Sequence, residues 1–263
     1  MLIYNADDYC LNIKESERIT ELSQYGIIKS TTIVSNNPTL KDYINKIKYS
    51  GLSIGIHINL VEGKPLSNSS SLVDEDGNFF SKKDFVQRLF LGKIDYKEIE
   101  KEISLQFEYL LDNGIYITHI DSHQNTHLFM PVLNAIIKAA EKFKVKKIRG
   151  QKFISNWFME TNSVKYSIRD MFSFLWQFRV GKKFKFANEI IINTPGLGIK
   201  IDNIDKAIKL WEYALRCYYN PNIIYEVPCH LGLSDLEYDL YKSESFLSML
   251  KRINIKIGSY HDI

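Results

Sequence analysis

The residues best equipped for chemistry are a pair of adjacent aspartates, Asp7 and Asp8, then His57, the run His119-Ile120-Asp121-Ser122-His123, and Cys229-His230. A divalent cation of the first transition row, or Mg²⁺, takes mixed oxygen and nitrogen ligands, the carboxylate supplying charge and neutral imidazoles supplying σ-donation. Asp8, His57 and His123 make such a set while leaving positions for water and substrate, which is the pattern of a catalytic site rather than a closed structural one. Asp7, kept off the metal, is placed to take a proton from an activated water, and His230 to protonate a leaving group.

These residues need elements that bring them together. Short β-branched runs alternate with stretches of helical spacing, the rhythm of βα units. The spacing predicts strands over 2–5, 31–35, 53–59, 116–121, 146–149, 189–193, 222–227 and 255–259, about the eight of a (β/α) barrel. Helices are expected over 13–25, 40–50, 84–92, 97–113, 131–143 and 202–220. Gly26 and Gly114 are placed to end helices and Pro131 to begin one. Asp7, Asp8, His57, His119, His123 and His230 then fall at the carboxyl ends of strands, where parallel α/β sheets build their sites. Strand parity sets His57 on the face opposite Ile54, Ile56 and Ile58, and gives His119, Asp121 and His123 a common face.

The chain of 263 residues has 45% hydrophobic residues, enough for a buried core. Its 34 basic and 31 acidic residues leave a net charge of +3, too small to argue for nucleic acid or an anionic membrane. Three cysteines without disulfide-framework or zinc spacing, and no apolar run or basic leader, are read as a cytoplasmic chain. A single domain over 1–263 is expected. Residues 64–81 read as a turn-rich loop with a small hairpin, and about 151–188 as an aromatic-rich insertion, either two packed helices or a lid, sugar-stacking wall or homodimer contact.

The segments Asn5-Ala6-Asp7-Asp8-Tyr9, Gly55-Ile56-His57-Ile58-Asn59-Leu60, Thr118 to His123 and Cys229-His230-Leu231-Gly232 resemble, in order and spacing, the successive motifs of the YdjC-like carbohydrate deacetylases. The likeness runs to Gly258-Ser259-Tyr260-His261-Asp262. It implies a distorted (β/α) barrel, TIM-barrel-like and related to the NodB-type polysaccharide deacetylases. It also implies hydrolysis of the N-acetyl group of amino sugars in oligosaccharides with one divalent metal, Mg²⁺ or Zn²⁺. The family's metal aspartate falls on Asp8, its metal histidines on His57 and His123, its base on Asp7 and its later histidine on His230. Asn125 stands where the family often has another histidine, Leu231 where it has proline, and Tyr9-Cys10 where it has Phe-Gly.

His119 and Asp121 are expected to support the ligands, one of them orienting His123 through its free ring nitrogen. Asn125 and Arg149 are placed among residues supporting the site or touching substrate. Two other readings of the same residues are a metal-dependent phosphoesterase, for which Arg149 is the one basic clamp in view, and a non-catalytic sugar-binding protein.

Overall fold

The structure, a computed structural model, describes residues 1–37, 41–150, 180, 184–189 and 203–263. Most of the aromatic segment, residues 151–179 and 181–183, lies outside the described residues, and the expectations placed on it go no further.

Eight parallel strands are described: β1 (Leu2–Tyr9), β2 (Ile28–Ile33), β3 (Ser53–Ile58), β4 (Ile120–Ser122), β5 (Lys147–Arg149), β6 (Lys185–Glu189), β7 (Tyr225–Cys229) and β8 (Ile257–Gly258). They pair in the order β2-β3-β4-β5-β6-β7-β1-β8, and β1 also pairs with β2. The ring therefore closes on β1, while the two-residue β8 pairs only with Leu2 and Ile3 at its start. This is a distorted (β/α) barrel. The helices are α1 (Ile13–Leu22), α2 (Lys41–Ile47), α3 (Lys82–Phe90), α4 (Tyr96–Asp112), α5 (Met130–Phe143), α6 (Ile204–Tyr218), α7 (Asp235–Lys242) and α8 (Glu244–Arg252).

The apolar core lies between strands and helices rather than in the barrel lumen. In β1, Leu2, Tyr4 and Ala6 face the outer layer, where the Tyr4 ring meets Trp211, Tyr241 and Phe246. The alternate residues Asn5 and Asp7 point inward, and below them Ile3 packs on Met1 and Tyr260. Isoleucines 54, 56 and 58 join the outer core, as their parity requires.

Several expected boundaries move. β6 lies four residues earlier than the spacing predicts, and 190–193 fall outside the described residues. β4 is confined to 120–122, although Thr118 N donates to Ile54 O and Ile56 N to His119 O, extending the contact backward. α7 and α8 have no counterpart among the expected helices; Ser234 and Ser243 cap them. The loop after β3 does carry a small hairpin, through the antiparallel bridge Val73–Phe79.

Candidate active site at the barrel rim

Asp7 and Asp8 are neighbours on β1, and a regular strand would aim them at opposite faces. Between Ala6 and Tyr9 the pairing with β2 slips, so that the bulge carries both aspartates. Asp8 takes φ 65°, a left-handed conformation that aspartate tolerates better than most residues. Its carboxylate oxygen Oδ1 thereby meets two histidines, His57 Nε2 at 3.1 Å and His123 Nδ1 at 2.8 Å. All three residues are buried.

His57 comes from β3 and passes its other nitrogen, Nδ1, to Asp121 Oδ1 at 2.6 Å. Gly55, two residues before it, is required by packing: a Cβ there would lie 2.6 Å from the His119 ring and 2.7 Å from Thr32. His123 does not owe its place to strand parity, because β4 ends at Ser122. It opens a 3₁₀ turn in which Gln124 and Asn125 have φ 51° and 59°. Asn125 is half-buried in that turn.

Two expectations are corrected here. Asp121 orients His57, not His123; the free His123 Nε2 lies 3.0 Å from Glu62, a residue the motifs did not single out. His119 hydrogen-bonds to Asn5 and Thr118 rather than to either proposed metal histidine. Its ring stacks on Tyr260 at 3.7 Å, and its Nε2 meets Asn5 Oδ1 at 3.0 Å.

Arg149, at the end of β5, is buried beneath the aspartates. Nη1 donates to Asp7 Oδ2 at 2.7 Å, Nε to Glu226 Oε1 at 2.9 Å, and Nη2 lies 2.8 Å from Asp121 Oδ2. Tyr260 OH donates to the second oxygen of Glu226, and Asn5 Nδ2 donates to Asp7 Oδ1 at 2.8 Å. A closed circuit of contacts thus runs Asp7, Arg149, Glu226, Tyr260, His119, Asn5 and back to Asp7. Glu226 was absent from the sequence expectations and Tyr260 stood in the closing stretch without a role; for Glu226 the available signal was a charged residue alternating with Tyr225 and Val227 on an inward face.

His230 follows β7, half exposed, with Nε2 3.8 Å from Asp7 Oδ2. Its loop is gripped from below. Gly232 N donates to Glu15 Oε2 at 2.6 Å, Arg18 Nη1 to Leu231 O at 2.7 Å, and the backbone of His230 to Glu237. His127 is buried against Ser122, and His261 is exposed at the far end of the chain.

Charge follows this geometry. Burial would raise Asp8, but hydrogen bonds from His123 and His57 hold its carboxyl well below the usual range. Asp7 is likewise kept low against burial by Arg149. Burial works against the charged form of His57, yet Asp121 and Asp8 push its pKa well up. Burial, reinforced by Arg149, drives His119 well down and His127 to about 3. Burial lifts Glu226 to about 7 despite Arg149.

Among the described residues, two groups bring ligand atoms within 4.8 Å of one another: Asp8, His57 and His123, and also Asp7, His57 and Asp121. The guanidinium of Arg149 already compensates Asp7 and Asp121, so the first group suits a cation better. It offers one carboxylate and two imidazoles, each imidazole backed by a further carboxylate, which is the usual support of metal-binding histidines. The residues fit a divalent metal.

The YdjC-like protein family matches residues 1–252 of the chain. The chain belongs to that family. A YdjC-like relative, the carbohydrate deacetylase of Listeria monocytogenes, is 35% identical over 159 residues, 59% of this chain and 63% of the relative. The aligned stretch thus spans less than two thirds of that relative. A crystal structure from Enterococcus faecalis, described as a cellobiose-phosphate cleavage protein, superposes with a TM-score of 0.74 at 21% identity, over 99% of this chain and 97% of the other. The peptidoglycan N-acetylglucosamine deacetylase Bc1960 superposes with a TM-score of 0.51 at 11% identity, over 98% and 85%. These structures share the YdjC-like chain's fold. Among the described residues no helix is long and apolar enough to cross a membrane.

Proposed function

We propose that this YdjC-like chain is a carbohydrate deacetylase that hydrolyses the N-acetyl group of amino sugars with one divalent metal held by Asp8, His57 and His123. The observation that carries the reading is the meeting of Asp8 with both histidines at the barrel rim, beside a second carboxylate that Arg149 holds apart. When bound, a divalent ion supplies charge that polarises the acetyl carbonyl and favours ionisation of the attacking water.

The chain's own groups do the rest. Asp7 accepts the proton of the attacking water; its pairing with Arg149 and Asn5 fixes the carboxylate's direction. His230, on the solvent side of Asp7, protonates the sugar nitrogen as the C–N bond breaks, because an amine anion is too basic to leave near neutrality. Asp121 and Glu62 fix the ring orientations of His57 and His123.

The phosphoesterase reading loses its basic clamp, since Arg149 is buried and turned to three carboxylates. The test is acetate release from N-acetylglucosamine oligomers, set beside phosphate release from simple phosphoesters, with the parent and with Asp7→Asn. The parent releases acetate and not phosphate, and Asp7→Asn loses at least ~10²-fold in kcat at unchanged metal content. Full activity in Asp7→Asn removes Asp7 as the base.

A further inference from the structure

The loop after β3 encloses a recess of about 360 Å³ lined by Leu11, Val34, Asn36, Asn59, Glu62 and Lys64 among others. It borders the rim cluster, because Glu62 belongs to both: the residue lines the recess and its carboxylate meets His123 Nε2 at 3.0 Å. Leu11, partly exposed, gives an apolar edge, and Glu62 and Lys64 stand exposed at the rim with opposite charges.

Exposed side chains on a loop usually have a mobile backbone beneath them. This loop is instead held by two buried asparagines. Asn36 Nδ2 donates to Glu62 O at 3.1 Å and Lys64 O at 2.9 Å. Asn59 Nδ2 donates to Glu62 O at 2.8 Å and to Asn36 Oδ1 at 3.0 Å, while Asn59 Oδ1 accepts from the backbone N–H groups of Val61 and Glu62. From α4, Gln106 holds the backbone of Asn59, and Glu102 accepts from Leu66 N and Ser67 N. A buried polar network of this extent is costly unless fully bonded, and its result is to fix where Glu62 and Lys64 emerge. Preorganised polar groups around a partly apolar hollow of this size are how proteins recognise small polar ligands.

We infer that this recess is a sugar subsite, taking the pyranose ring next to the acetylated residue of an oligosaccharide. Leu11 covers the ring's apolar face, Glu62 accepts and Lys64 donates hydrogen bonds at its hydroxyls. The inference rests on the deacetylase reading for the nature of the substrate. Glu62, touching both sugar and His123, links occupancy of the subsite to the orientation of a proposed metal histidine.

The experiment compares the parent with Lys64→Ala and Glu62→Gln, using N-acetylglucosamine and its β-1,4-linked trisaccharide. Calorimetric titration with the trisaccharide needs no turnover: the expected result is binding to the parent that weakens about tenfold or more in Lys64→Ala. In the kinetic arm, the rise in KM for the trisaccharide is at least fivefold greater than that for the monosaccharide. Glu62→Gln adds a fall in kcat that Lys64→Ala does not show. Trisaccharide binding unchanged in Lys64→Ala, absent from the parent, or lost equally for both sugars overturns the subsite. Binding without acetate release would instead overturn the deacetylase reading and leave the subsite supported.

Discussion

Each imidazole of the rim cluster uses one nitrogen toward Asp8 and the other toward a supporting carboxylate, Asp121 for His57 and Glu62 for His123. That division fixes which nitrogen is available to a cation. The Asp121 contact is short and buried, whereas Glu62 is half exposed, so the two supports differ in strength. Asp121→Asn is therefore expected to weaken metal binding by about 10–100-fold, measured by competition with a chromogenic chelator. Unchanged affinity would remove Asp121 as the support of a metal-binding His57. Asp8, His57 and His123 were legible as one cluster because each lies at or just past the carboxyl end of a strand, where position brings them to one rim. Glu62 was not, since its approach depends on how a loop folds back, and no spacing rule encodes that.

At the scale of elements, a bulge in β1 and a helix that reaches under a loop do the positioning. The bulge lets consecutive aspartates serve one site, a departure from strand alternation that no periodicity predicts. α1 contributes Glu15, buried with Oε2 on Gly232 N, so that a Cβ at Gly232 would lie 2.2 Å from that oxygen. Burial and the nearby Asp8 raise Glu15 to about 8, and burial raises Glu237 to about 7. Folded carboxyls with raised pKa hold protons that the unfolded chain releases above about 4.5, so these groups make stability fall as pH rises from about 5 toward 8. Glu15→Gln is expected to flatten that decline in urea midpoints measured across the interval. An equally steep decline would mean that Glu15 is ionised in the fold. The main βα order was readable because its strands and longer helices have clear periods. α7 and α8, which meet at the single residue Ser243, had no counterpart among the expected helices.

At the scale of the whole molecule, the described residues form a barrel with a polar lumen inside an apolar shell. Asp7, Asp121 and Glu226 surround the guanidinium of Arg149, and Tyr260 closes the floor on Glu226. The near-balanced net charge of +3 concealed this local excess of carboxyls. A cation bound only by the folded state stabilises it by about 2.7 kcal/mol at a hundredfold excess over Kd, which corresponds to a rise in Tm of roughly 5–10 °C for a chain of this size. The parent should show that rise with added divalent metal, and His57→Ala should not; equal shifts in both would place the ion elsewhere. The most direct measurement is acetate release from N-acetylglucosamine oligomers by protein stripped with a chelator and then titrated with Zn²⁺ or Mg²⁺. A one-metal deacetylase loses activity on stripping and regains it in proportion to occupancy, reaching its plateau at one ion per chain. Acetate release that persists after stripping, or that is absent at full occupancy, would contradict this reading.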